Sequence, residues 1–425
     1  MLKLKPWNPV KVKSEFSRNV LTLMTGTTIA QAIPIAISPI LTRIYTPEDF
    51  GVFALFISIV SIMAVVSTGK YEMSLILPKK DTFAYQLLIL SGIIVLVSSI
   101  IYLFSVVIAD TFYSIDDIYY LLPFAVLFIG LNNTFDKYNN RIKNYKLMSY
   151  QRLIKTTIES IVSIAFMVLF HLKTGLIWGF VLGFFVSNLT MLYINVKSFQ
   201  QKAFTVSKAK MKILAKKYIN FPKYNMPHAM LNTVSANAPI FLIPVFYGNA
   251  TLGLYAFGLK IIQAPLGLLS TAIFNVLGQK MAEEYAKGNE ILTIYNNMLK
   301  KLSLVAIVMI PFFIFADDIF AFVFGSEWRE AGGYIQIMSV VVLGSFILSP
   351  LSSIPHIFNQ QKKAFILEII ATLTRILPFI IGAYIFKFEI EIVLAIYVVL
   401  YGLVLLYGLS WSYSLVKSHH QEVNK

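Results

Sequence analysis

Charged side chains set inside long apolar runs are the residues of this sequence with the widest chemical reach. Lys70, Glu72, Glu159, Lys260, Glu368 and Arg375 interrupt stretches built mainly of Ile, Leu, Val and Phe, and Arg43 closes another. A charge held in hydrocarbon is costly, so such a residue by default marks a pathway or a binding cavity. Arg375 falls about thirteen residues into its run, which at ~1.5 Å per residue is near the middle of a bilayer. Lys260 falls in the outer half of its run, whereas Lys70, Glu72 and Glu368 fall toward the inner end. The sign leans basic, and guanidinium and ammonium groups bind phosphate or pyrophosphate well. Arg375 and Lys260 are therefore expected to hold an anionic cargo, with Lys70 receiving it at the inner entrance. Arg43, at the outer end, either joins that cationic lining or anchors a loop.

Each of these residues also has a plainer reading. Lys70 and Glu368 are close enough to the inner interface to reach water by snorkelling. Glu159 reads most simply as half of a structural ion pair. Lys70 and Glu72, two apart on a helix, project to opposite sides and do not suggest a mutual pair. Glu72, Asp136 and Glu159 are the acids that could couple transport to a proton or sodium gradient. Gln31, Asn132, Asn133, Asn232 and Asn237 could contact sugar hydroxyls or hold helices together. No enzymatic constellation is present: the five histidines are scattered, there is no cysteine, and nothing has the spacing of metal ligands or of a phosphate loop. Neither a metal nor a bound cofactor is expected.

The elements that carry these residues are membrane helices. Hydrophobic residues make up 57% of the 425-residue chain, only 13% are charged, and the mean hydropathy is +0.72. Apolar stretches suggest about twelve spans, near 20–44, 49–77, 83–109, 118–141, 150–171, 175–196, 221–247, 252–280, 297–316, 332–358, 363–386 and 391–416, each able to cross a ~30 Å core. The net charge of +15 is a matter of loops. One alternate set of loops carries 29 of the 36 Lys and Arg residues, and the opposite set carries four against eleven acids. That bias places both termini in the cytoplasm and leaves no nucleic-acid footprint to explain. In the longest loop Lys208, Lys212 and Lys216 recur beside Met211, Ile213 and Leu214, a short basic amphipathic helix suited to anionic lipid. Among the outer loops, 317–331 is the largest and is expected to hold an interfacial turn with Trp328 at headgroup level.

The chain also repeats itself. AIPIAISPILTRIYTPEDFGVFAL (32–55) and NAPIFLIPVFYGNATLGLYAF (237–257) each place two prolines five apart, then a polar loop, then a Gly-led restart. The prolines, Pro34 and Pro39 against Pro239 and Pro244, are offset by 205, and the glycines, Gly51 and Gly253, by 202. These prolines are expected to break the first helix of each half and to serve in gating. Both halves start on the inside with six helices, so the repeat is parallel. The expected organisation is all-α: a cytoplasmic N-terminus (1–19), an N-lobe (20–196), a basic linker (197–220), a C-lobe (221–416) and a cytoplasmic tail (417–425).

Four passages resemble one family. ILTRIYTPEDFGVFALF (40–56), TGKYEMSLILPKKD (68–81), FPKYNMPHAMLNTVSANAPIFLIPVFYGNATLGLYAF (221–257) and FGSEWREAGGYIQIMS (324–339) are similar to the polysaccharide biosynthesis family. These are the O-antigen and capsule repeat-unit flippases of the multidrug/oligosaccharidyl-lipid/polysaccharide exporter superfamily. The resemblance implies a two-lobed, V-shaped transporter of the bacterial inner membrane. It would flip undecaprenyl-pyrophosphate-linked oligosaccharide outward by alternating access, among membrane lipids and other polysaccharide-assembly proteins. The rival readings are a multidrug antiporter of the same superfamily, which needs an unpaired acidic site, and a membrane glycan polymerase or ligase, which needs long outer loops.

Overall fold

The computed structural model describes residues 15–201, 205–274, 278–352 and 354–423. The expected basic N-terminus lies outside the described residues up to 14, as do 202–204 of the linker and 424–425 of the tail. Among the described residues all the regular structure is helical, with no strand. In order these helices are α1 (Glu15–Ile44), α2 (Pro47–Ser67), α3 (Asp81–Tyr113), α4 (Leu122–Arg141), α5 (Tyr145–Phe170), α6 (Gly175–Gln201), α7 (Lys208–Lys217) and α8 (Met226–Ile273). They continue with α9 (Gln279–Ala286), α10 (Leu292–Ile314), α11 (Ala316–Phe324), α12 (Arg329–Leu348), α13 (Ile354–Ile357), α14 (Gln361–Leu377) and α15 (Ile390–Val423).

Among the described residues, eleven helical segments are long and apolar enough to cross a membrane, and one of them, Phe221–Thr271, has 51 residues. At ~1.5 Å per residue that segment is about twice the thickness of a hydrocarbon core. It turns at Gly248, whose φ of 85° and ψ of 169° are open only to glycine. The corner divides the segment into two crossings and accounts for a total of twelve.

The prolines do not break these helices. Pro34 and Pro39 lie inside α1, and Pro239 and Pro244 inside α8, all within helical backbone. Each proline frees the carbonyl four residues back, and side chains can take up such carbonyls inside a membrane. At Pro39 the freed Ile35 carbonyl accepts the Ser38 hydroxyl at 2.6 Å. The breaks come later, at Tyr45–Thr46 and at Gly248. In the first of these, Thr46 and Asp49 cap α2 reciprocally: Thr46 N donates to Asp49 Oδ2 at 2.9 Å and Asp49 N to Thr46 Oγ1 at 3.3 Å.

The chain gathers into two compact units. Among the described residues, one comprises those within 15–34, 63–163 and 178–228; the other comprises those within 35–62, 164–177 and 229–423. The first unit has a core of Leu75, Leu87, Phe135, Tyr138, Met191, Phe199 and Leu214. Leu214 comes from α7, whose Met211 and Leu214 are buried while Lys208, Lys210, Lys212, Lys216 and Lys217 are exposed. Tyr71 Oη donates to the Ala215 carbonyl at 3.1 Å, and Gln86 bridges Thr205 and Ser207 at 2.7 and 2.9 Å, so the basic helix is docked on its own unit.

In the second unit an aromatic cluster forms around Trp328. Its indole lies 5.0 Å from Phe50 and 4.5 Å from Phe257, ring centre to ring centre, and Nε1 donates to the Thr42 carbonyl at 3.1 Å. Trp328 is 0% exposed, so it is a core residue and not the interfacial anchor expected from its loop. A short α11 and the turn after it fold that loop inward, and the buried N–H finds its partner in protein.

Candidate substrate site

Arg375 sits in the last turn of α14, three residues before Pro378, where the backbone passes into a π-helical stretch, Pro378–Ile385. Such stretches are frequent at functional positions. Glu368, Thr372 and Arg375 are spaced four and three apart, so they share one helix face. Arg375 Nη1 donates to Ser235 Oγ of α8 at 2.8 Å and to Glu368 Oε1 at 3.0 Å, and Nη2 donates to Tyr401 Oη of α15 at 2.6 Å. The guanidinium carbon also stands 4.6 Å from the Tyr401 ring centre, and Tyr401 is stacked on Tyr397. The proton order is set: Thr372 donates to the Glu368 carbonyl, so Ser235 donates to Thr372 at 2.8 Å and accepts from Arg375. Three helices thus meet at one half-buried cation. Its side chain is 14% exposed, whereas Glu368 is 44% exposed, so the carboxylate is the partner that can leave.

Lys260 belongs to the same unit. It is exposed on α8, with Nζ 5.4 Å from the Phe53 ring centre. Arg43 is exposed in the last turn of α1, where the helix dipole favours a cation.

The remaining sequence candidates lie in the first unit, in three ion pairs. Lys70 and Glu72 follow the end of α2 at Ser67 and do not lie within an α-helix: Lys70 caps a 3-10 helical stretch, Tyr71–Ile76, that holds Glu72. Gly69 and Lys70 both take left-handed φ, 56° and 58°, and this turn brings Lys70 Nζ to 3.7 Å from Glu72 Oε1. The helical spacing that set them apart does not apply, and they are partners. Glu72 is buried, and its Oε2 has no hydrogen-bond partner among the described residues. Asp136 of α4 faces Arg152 of α5 at 3.5 Å, and Arg152 also donates to Thr27 of α1. Asp136 Oδ1, Gln31 Oε1 and Asn132 Nδ2 are buried without a partner among the described residues. Glu159 pairs with Lys155, four residues earlier, as its plainer reading has it; Lys155 Nζ also lies 5.3 and 4.8 Å from the ring centres of Phe180 and Phe184.

Arg152 and Lys155 are what the sequence reading missed. Counted with the inner loop, they fall within α5, and the signals available were the i,i+4 spacing of Lys155 and Glu159 and the sixteen positions from Asp136 to Arg152. Their pairing changes the charge balance. Lys70, Arg152, Lys155 and Arg375 each face an acid, so the basic excess inferred from sequence is largely neutralised.

The comparisons with known proteins fit this architecture. Residues 40–333 match the family model described as polysaccharide biosynthesis protein. The chain is 23% identical over 151 residues to teichuronic acid biosynthesis protein TuaB of Bacillus subtilis (strain 168), covering 35% of this chain and 31% of that protein. Among solved structures it is similar to a MOP superfamily transporter from Pyrococcus furiosus described as having a binding pocket of reversed polarity, with a TM-score of 0.60, 13% identity, and coverage of 95% of this chain and 96% of that one. An inward-facing multidrug resistance MATE family transporter of that superfamily also gives 0.60, with 13% identity over 95% and 98% of the two chains. The fold is the one seen in MOP superfamily transporters. The family match spans well over half of its length, and the chain belongs to the polysaccharide biosynthesis protein family.

Proposed function

We propose that this protein flips an undecaprenyl-pyrophosphate-linked oligosaccharide from the cytoplasmic to the outer leaflet of the bacterial inner membrane, for O-antigen, capsule or related polysaccharide assembly. The observation that carries the reading is a polysaccharide-biosynthesis chain with a transporter's fold. Access to a wet interior alternates between the two sides of the membrane while the polyprenyl tail stays in lipid.

In this reading Arg375 is the phosphate-binding group. Glu368 holds its charge while the site is empty, and an arriving pyrophosphate displaces that half-exposed carboxylate. Tyr401 and Ser235 keep the guanidinium aimed throughout. Lys260 adds a second cation on α8, Lys70 meets the headgroup near the inner entrance, and Arg43 lies at the outer end. A proton or sodium gradient drives the cycle, with Asp136, Glu72 and Glu159 as the acids available for coupling. A multidrug antiporter would require an acid free of a cation, and each of these three faces one.

Deleting the gene should leave lipid-linked repeat units on the inner leaflet, and Arg375→Ala should reproduce that defect at equal protein level. Full surface polysaccharide from Arg375→Ala would remove the residue from the site. Unchanged lipid-linked intermediates in the deletion, with altered drug resistance, would favour the antiporter.

A further inference from the structure

The two copies of the repeated passage lie in the same compact unit, and their glycines face each other's backbone. A Cβ built on Gly51 would overlap the carbonyl oxygen of Asn249 and stand 2.7 Å from its carbon. A Cβ built on Gly253 would overlap the carbonyl oxygen of Pro47, again 2.7 Å from its carbon, and stand 2.8 Å from Gly51 N. Residues 47 and 249 correspond under the offset of 202, as do 51 and 253. The contact is therefore reciprocal: residue 51 meets 249, and residue 253 meets 47. Only a local two-fold axis between the repeats produces that pattern.

The contact sits where each membrane helix restarts, α2 from Pro47 and the second arm of α8 after Gly248. Deeper, Ser58 Oγ donates to Asn237 Oδ1 at 3.1 Å. Ser58 is eleven residues beyond Pro47, and Asn237 eleven before Gly248, so both lie ~16 Å below the corner along their helices. Lys260 holds the repeat position of Ser58.

We propose that Gly51 and Gly253 form a two-fold-symmetric gate at the extracytoplasmic end, closed by backbone-to-backbone contact. Neither position has room for a single methyl group, because the obstacle is main chain and cannot rotate away. A contact made by two repeats about their own axis opens without unwinding either helix when the repeats separate. The inference depends on the transport reading above only for which side of the membrane the gate faces.

The absence of cysteine makes the test direct. In a S58C/N237C chain, a short bifunctional thiol reagent reports the closed gate in membranes, with no cargo involved. Gly51→Ala and Gly253→Ala should each cut the cross-linked fraction by about tenfold or more. Gly333→Ala, where a Cβ meets nothing within 4 Å, should leave it unchanged. In single S58C chains on intact cells, both gate variants should raise labelling by a membrane-impermeant maleimide, which separates an opened gate from a damaged fold. Cross-linking equal to the parent overturns the proposal, and so does cross-linking lost without any gain in labelling. Accumulation of lipid-linked intermediates in the deletion strain tests the cargo separately and does not bear on either readout.

Discussion

Arg375→Lys keeps the charge and removes the geometry, so it tests what the Arg375 cluster does. The guanidinium reaches Ser235, Glu368 and Tyr401 from two nitrogens, at 2.8, 3.0 and 2.6 Å. A lysine ammonium is one point and cannot span from α8 to α15, so it stays with the Glu368 carboxylate of its own helix and the bond to Tyr401 is lost. Hydrogen bonds to a charged group contribute ~1.5–3 kcal/mol each, which sets the expected loss at about 2–4 kcal/mol. Tyr401→Phe removes one bond and should cost ~1.5–3 kcal/mol. Glu368→Gln should cost under ~1 kcal/mol, because that carboxylate is 44% exposed. Unfolding by SDS in mixed micelles measures all three, and Arg375→Lys with Tyr401→Phe completes a double-mutant cycle. Both variants remove the Arg375–Tyr401 bond, so their effects should fall short of additive by ~1 kcal/mol or more. Additivity within ~0.3–0.5 kcal/mol, or a Glu368→Gln variant as unstable as Arg375→Lys, would refute the three-helix account.

Gly248→Ala should destabilise the protein by about 1–3 kcal/mol through backbone strain alone, since φ is +85° and a Cβ meets nothing within 4 Å; differential scanning calorimetry against Gly267→Ala isolates the strain. Trp328→Phe should cost ~1–3 kcal/mol from the unpaired Thr42 carbonyl and the lost ring, and Trp328→Ala ~3–5 kcal/mol, both measured by the same unfolding assay. Glu284 is held below the ordinary carboxylate range by hydrogen bonds from Asn289 and Lys287. Its depressed value means that those bonds contribute above the ordinary Glu range and are lost as pH falls through the lowered one, so amide exchange over 284–289 should quicken only at acid pH, and Asn289→Ala should move the onset upward.

Much of the membrane architecture was legible in the residues themselves. Hydropathy and loop charge depend on composition within twenty or so residues, and these suggested about twelve crossings, one of which the structure resolves at a single glycine, Gly248. The acid four residues beyond Lys155 was likewise local. Where the chain departs from a helix, local reasoning failed. Lys70 and Glu72 are opposed on an ideal helix but meet across a left-handed turn, and Trp328 lies on an outer loop in sequence yet at the centre of an aromatic core in space. The prolines looked like breaks because proline removes a donor, but Ser38 supplies one of the missing bonds from the side.

The sequence by itself determined that the chain is a doubled membrane protein of one family, because apolar length, charge bias and internal repetition are written along the chain. Only the tertiary structure decided which cation is bound to which acid, and that the repeated glycines face each other. Both depend on groups brought within a few ångströms of each other from distant helices, where a single methyl group or one donor nitrogen changes what can touch.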